Sequence, residues 1–203
     1  MTATASPAPT RATVARRADA WTLGGATLLV VGCVLLAARP ALVAASPAPA
    51  GALVALFVAL LVVGAWWPVP PAHQAASRPW GRSTTAVVVL LGVGVFALGR
   101  LVGGGRPPVP ATAVLVLTNT LAAVAEEAFF RRLCFGLLAP AGVAWAVGGS
   151  ALLFAVVHVT TYGWWVLPLD LAAGLVLGWQ RAATGSWRAP AVTHILVNLL
   201  VVL

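Results

Sequence analysis

Seven apolar runs, at 21–38, 50–67, 86–104, 111–137, 143–160, 164–181 and 189–203, dominate this chain and leave it few ways to fold. Breakers rich in Pro, Gly and small polar residues cut them apart: ARPALVAASPAPA, PVPPAHQAASRPWGRS, GGGRPPVP, APAG, TTYG and TGSWRAP. About 20 consecutive apolar residues cross a bilayer as a helix. In hydrocarbon the backbone must satisfy its own hydrogen bonds, which a helix does within one segment. The expected fold is therefore all-α, a polytopic transmembrane helix bundle of about seven spans. Charged residues make up only 8% of the chain, against about 25% in soluble domains, which excludes an ordinary soluble domain. The last run holds only 15 residues and is expected to be tilted or packed inside the bundle.

Residues 1–20 are polar and rich in Ala and Pro, and read as a disordered cytoplasmic N-terminus. Arg16 and Arg17 stand before the first run like the charged start of a signal peptide. That run is long enough to span, and further runs follow, so it reads as an uncleaved first helix. Residues 21–109 then form three N-terminal transmembrane helices, and 110–203 a second unit in which the polar side chains collect. All twelve basic residues are Arg, scattered along the chain, a bias of GC-rich bacterial coding. Nucleic-acid binding needs a clustered basic patch, so it is excluded. With the N-terminus in the cytoplasm, the inner segments hold Arg11, Arg16, Arg17, Arg78, Arg82, Arg131, Arg132, Arg181 and Arg188, whereas the outer segments hold Arg39 and Arg106. This imbalance follows the positive-inside rule. The reading is a multi-pass protein of the cell inner (plasma) membrane, with the lipid bilayer as its surroundings. Cys33 and Cys134 lie in separate apolar runs without metal or disulfide spacing.

Four acidic residues occur in the whole chain, and two of them, Glu126 and Glu127, are neighbours inside the fourth run. A carboxylate at the bilayer centre costs about 2.5–3.5 kcal/mol on insertion scales, so it marks a functional site when partners exist. Glu127 and Arg131 are four apart and share a helix face, as a buried ion pair requires. Glu126 points about 100° away round the helix, so the two acids serve different purposes. His158 follows Phe154 by four on the fifth run, and Asn198 follows His194 by four on the last. Asp170, on the sixth run, reads as a structural residue or a helix partner for an arginine, and Asn119 as interhelical glue. Counting along the helices brings Glu126 and His158 to one depth, about 20–24 Å from their shared turn. His194 comes out shallower, which predicts a last helix starting below the surface and a cavity open to the cytoplasm.

Three motifs occur in order on successive helices: E-E-x-x-x-R (Glu126, Glu127, Arg131), F-x-x-x-H (Phe154, His158) and H-x-x-x-N (His194, Asn198). Together with SALLFAVVH and TGSWRAPAVTHILVN, they closely resemble the CPBP family of intramembrane proteases, also called the CAAX protease, bacteriocin-processing or Abi family. The resemblance covers about 110–203 and places the active site among spans 4, 5 and 7. Arg132 departs from it, because the family usually has Gly there. The resemblance implies an intramembrane metalloendopeptidase acting on a peptide or membrane-protein substrate. Glu126 and His158 would activate water, Glu127 with Arg131 would position Glu126, and His194 with Asn198 would act as metal support or oxyanion hole. Glu126, His158 and His194 would make an adequate Zn²⁺ set with one open position, and a metal-free glutamate route uses the same residues. The family's eukaryotic role is prenyl-protein processing, whereas a bacterial chain is expected to cleave other peptides.

Two other classes compete. A proton- or ion-coupled transporter would use buried Glu and His as a relay, but predicts inverted repeats that this sequence lacks. A non-catalytic membrane partner, such as a bacteriocin self-immunity or assembly factor, would keep the fold without the chemistry.

Overall fold

The computed structural model describes residues 11–69, 81–102 and 112–202. Among them every regular element is helical. Helix α1 (Arg11–Ala37) leads through a short α2 (Arg39–Ala45) to α3 (Pro49–Trp66), which starts on a proline, a residue pre-set for a first turn. Then come α4 (Arg82–Val102) and α5 (Ala113–Glu127). The latter runs on through a π-helical stretch, Ala128–Cys134, into α6 (Phe135–Leu138). Helices α7 (Val143–Tyr162), α8 (Leu167–Thr184) and α9 (Arg188–Val202) complete the bundle.

Two expectations change here. Residues 11–20 of the N-terminal segment are helical rather than disordered. RATVARRADA contains neither Gly nor Pro and is rich in the good helix formers Ala and Arg. Residues 1–10, Arg78 and Arg106 lie outside the described residues. Among the described residues, five stretches are long and apolar enough to cross a membrane: Asp19–Ala37, Pro49–Trp66, Ser83–Leu101, Ala113–Ala141 and Val143–Tyr162. The sixth and seventh expected spans, now α8 and α9, do not qualify. Helix α9, at 15 residues, is about 22 Å long against a hydrocarbon core of about 30 Å. Helix α8 carries Asp170, Gln180 and Arg181, which lower its hydropathy. Both helices bury a face in the bundle instead, through Gly174, Leu177, Gly178, Gln180 and Thr193.

Contacts between helices fix their directions. Gly32 of α1 lies against Phe129, and Gly25 against Leu137, so α1 runs antiparallel to α5. Gly64 of α3 touches the backbone of Ala128, and Val69 reaches Gly136 beyond it, so α3 runs parallel to α5. Helix α7 comes back antiparallel, with Phe154 beside Phe130 and His158 near Glu126. Helix α8 reverses again, placing Gly174 on Ala151 and Gly178 on Val147. The bundle therefore has two distinct ends. One holds the α1–α2 and α7–α8 turns together with the start of α5. The other holds the Ala139–Ala141 turn and the start of α9.

The α3–α5 crossing is tight. A Cβ at Gly64 would sit 2.5 Å from the Ala128 carbonyl carbon and 2.6 Å from the Phe129 nitrogen. Gly64→Ala is thus expected to cost about 1–3 kcal/mol through overpacking, read as a lower unfolding midpoint of the purified protein in detergent. An unchanged midpoint would mean that these backbones can separate freely. Arg132, the residue that departs from the family pattern, stabilises the same crossing. Its Nη1 donates to the carbonyls of Gly64 at 2.7 Å and Trp67 at 3.0 Å. These are carbonyls at the C-terminal end of α3, where a cation both caps and complements the helix dipole.

Candidate active site

Glu126 and Glu127 close the last α-helical turn of α5, immediately before the backbone widens into the π-helical stretch. Such stretches are rare and occur often at functional sites. The two carboxylates enter different surroundings. Glu127 is fully buried and does not reach the cavity, whereas Glu126 is 4% exposed and lines it.

Glu127 sits between two cations or potential cations. Its Oε2 is 3.2 Å from Nε of the equally buried Arg131, an ion pair without straight hydrogen-bond geometry. Its Oε1 lies 3.0 Å from Nδ1 of His194, which an ionised carboxylate requires to be the protonated nitrogen. Arg131 continues the chain of contacts. Its Nη2 donates to the Gly174 carbonyl at 3.3 Å, and its guanidinium lies 4.6 Å over the Phe154 ring. Nε of Arg181 donates to the Arg131 carbonyl at 3.0 Å. Arg131 and His194 thus hold one buried carboxylate, and Arg131 ties it on to α7 and α8.

Glu126 faces His158. The separation from Oε1 to Nε2 is 3.8 Å, too long for a hydrogen bond. The other ring nitrogen, Nδ1, lies 2.7 Å from the carbonyl of Phe154 one turn back. A carbonyl only accepts, so Nδ1 carries the proton and neutral His158 presents a bare Nε2 to Glu126. The ring rests between Phe154, at 4.6 Å between centroids, and a stacked Tyr162 at 5.9 Å. Phe154 also meets His194 edge-on at 5.9 Å. The aromatic shelf expected under one imidazole therefore serves both.

The two histidines do not meet Glu126 together. His194 lies at the level of Glu127, whose Oε1 its Nδ1 meets. The neighbouring α5 continues through the π-helical stretch and α6 well past Arg131, so a residue early in α9 still reaches mid-bundle. Among the described residues, no three His, Cys, Asp or Glu side chains come close enough to hold a metal ion. Each imidazole does have its Nδ1 fixed by a partner and its Nε2 left over, the arrangement that orients a metal-ligating histidine. The donor chemistry suits a metal, but the spacing does not assemble three donors.

A cavity of about 720 Å³ contains Glu126, His158, His194 and Asn198 in its wall, within the ~300–1,000 Å³ range of binding pockets. Two side chains that sequence reasoning did not bring to the site line it as well. Asp170 places Oδ2 3.8 Å from Nδ1 of His158, so its helix partner is a histidine and not an arginine. Arg39 places Nη1 3.9 Å from Glu126 Oε1, and its Nη2 donates to Thr161 Oγ1 at 2.9 Å. Arg39 stands in a Pro- and Ala-rich breaker and was read as a loop charge. No local spacing signals a contact with a residue 87 positions away (126 − 39). Asp170 had a signal, being one of four acids, but no motif around it.

Residues 108–200 match a family model described as "Rce1-like: Type II CAAX prenyl endopeptidase Rce1-like". This segment is similar to that family over 93 of the chain's 203 residues. The match bears out the resemblance to CPBP and CAAX proteases drawn from the three motifs. No curated protein and no solved structure matches the chain. With its several long apolar helices and this similarity, the chain is a multi-pass membrane protein. The matched segment contains Glu126, Glu127, Arg131, His158, Asp170, His194 and Asn198, whereas Arg39 approaches Glu126 from outside it.

Proposed function

We propose that this protein is an intramembrane endopeptidase in which Glu126 and His158 hold and activate the attacking water. The carrying observation is the 3.8 Å separation of Glu126 Oε1 and His158 Nε2 inside the cavity. One water at hydrogen-bond distance from both atoms fits that spacing. Both atoms are acceptors, so the water donates one proton to each and turns its lone pair toward the cavity. Glu126 takes a proton as the water oxygen attacks the peptide carbonyl, then delivers it to the departing amine. Asn198 offers an amide N–H to the developing oxyanion. His194, held by Glu127, donates from Nε2 when it carries a second proton, adding a cationic donor beside the amide. Glu127 and Arg131 position this wall and take no proton.

Asp170 acts as a positioning residue, holding the Nδ1 side of His158. Asp170→Asn removes one charge about 4 Å from the ring, an effect of about 1 kcal/mol at water-like screening and so roughly fivefold in rate. It is expected to lower kcat with little change in KM, and to shift the pH profile of kcat, which a merely structural role would not do. An unaltered pH profile would remove Asp170 from the proton chemistry.

The test of the whole reading is cleavage of a peptide library by the purified protein in lipid, with His158→Ala and His194→Ala alongside. Wild-type cleavage lost in both variants supports the reading. Equal inactivity of all three across a range of added metals points to the non-catalytic partner. Elemental analysis of the same sample, with a chelator titration, separates the zinc route from the glutamate route. Stoichiometric zinc with chelator-sensitive cleavage would make Glu126, His158 and His194 ligands. Cleavage that survives chelation, with no zinc bound, supports the mechanism above.

A further inference from the structure

We propose that the cavity receives its substrate from the extracytoplasmic side of the membrane. The inference rests on the endopeptidase reading for what is cleaved, and on geometry and charge for where.

The cavity belongs to one end of the bundle. Its wall is built from Arg39 and Pro40 at the α1–α2 turn, Leu115 and Thr118 in the first turns of α5, and Tyr162 and Trp165 at the α7–α8 turn. Pro40, Tyr162 and Trp165 are exposed, the last two at 50% and 53%. Below Glu126 the interior is closed. Phe129, Phe130, Arg131, Leu133 and Cys134 have no exposure, and Phe154 only 4%. Water and an extended peptide can therefore arrive from the α1–α2 and α7–α8 turns, and not through the floor.

The charges belong to the other end. Helix directions place the positions of Arg11, Arg16, Arg17 and Arg188 at the end away from the cavity. Arg131, Arg132 and Arg181 also lie on that side of Glu126, though they are engaged with backbone carbonyls in the interior. Near the cavity end stands Arg39, which is committed to Glu126 and Thr161. Orientation follows the Lys and Arg content of segments close to the span ends, with the first helix weighing most. The arginine-rich end is thus cytoplasmic and the cavity mouth is outside. The cytoplasm-open cavity expected from helix counting and the N-terminus-in orientation cannot both hold. Counting from the turns gave depth but not which end was sealed. The substrate class is a polypeptide segment presented at the outer face, either a translocated peptide or an external loop of another membrane protein.

Two exposed positions report the orientation without any need for activity: Trp164 at the cavity end, 78% exposed, and Ala141 at the opposite turn. Trp164→Cys and Ala141→Cys would each be made in full-length protein with Cys33→Ala and Cys134→Ala. A membrane-impermeant maleimide would then be applied to intact cells and to inverted vesicles. Labelling of Trp164→Cys from outside, and of Ala141→Cys only in inverted vesicles, is the expected result, and the reverse pattern overturns the proposal. A second arm fuses a cleavable segment to a single-span anchor, on either the outer or the inner side. Cleavage of the outer fusion alone supports the substrate class, and cleavage of the inner fusion alone overturns it. Correct labelling with neither fusion cleaved leaves the orientation standing and counts against the endopeptidase reading.

Discussion

Glu126→Gln should remove about 10²–10⁴-fold of the peptide-cleaving activity, the usual contribution of a positioned general base. The substitution keeps the side chain's volume and one carbonyl oxygen, so the cavity wall stays in place. It removes the carboxylate that takes the proton from water held between it and His158 Nε2. The His158 ring keeps its anchor, since the Phe154 carbonyl holds Nδ1 independently of Glu126. Arg39 loses its carboxylate neighbour but retains Thr161. Activity and unfolding midpoint measured on one preparation decide the matter. A stable variant that cleaves within about threefold of wild type would exclude Glu126 as the base, because so small a change is under 1 kcal/mol.

Substituting the adjacent residue has a different expected outcome. Glu127→Ala leaves the Arg131 guanidinium fully buried without its counter-charge, and frees Nδ1 of His194 as well. Breaking a buried pair by removing one partner costs about 3–5 kcal/mol, enough to unfold many proteins of ordinary stability. The expected readout is loss of folded protein in detergent extracts, with activity falling in proportion. Arg131→Met combined with Glu127→Leu should be less damaging than Glu127→Ala alone, because no orphaned charge remains. A Glu127→Ala protein that is stable yet inactive would move Glu127 from the scaffold into the reaction.

The amino-acid sequence made the helices and the short-range pairs legible, for reasons of spacing. Apolar runs bounded by Pro and Gly announce helices whatever packs on them, and four-residue intervals guarantee that Glu127 meets Arg131 and that Phe154 underlies His158. Contacts between elements were harder. His194 touches Glu127 rather than Glu126 because of where α9 begins relative to a widened helix, and no residue pattern announces the π-helical stretch. Arg39 looked like a charge in a breaker, since its tie to Glu126 depends on α1 running antiparallel to α5 beside the cavity. Which end of the bundle the cavity opens at was hard to read for a related reason. Helix counting locates a residue along its axis, while exposure depends on which neighbours close the floor, here Phe130, Phe154 and Arg131. The α8 and α9 runs read as spans because they are apolar, but the polar residues of α8 and the shortness of α9 leave them below the length and hydropathy of the five clear candidates.

The separation of two consecutive carboxylates into cavity wall and sealed interior has a consequence for cells carrying random substitutions. Steady-state protein level follows the folded fraction, since quality-control proteolysis removes what is destabilised by even 1–2 kcal/mol. Changes at codon 127 should therefore deplete the protein itself. Changes at codon 126 should leave normal amounts of a protein that fails at its task, and such inert copies can still occupy substrate. Neighbouring codons would then differ in dominance: loss at 127 behaves as a missing gene product, and loss at 126 as a competitor of the wild-type copy.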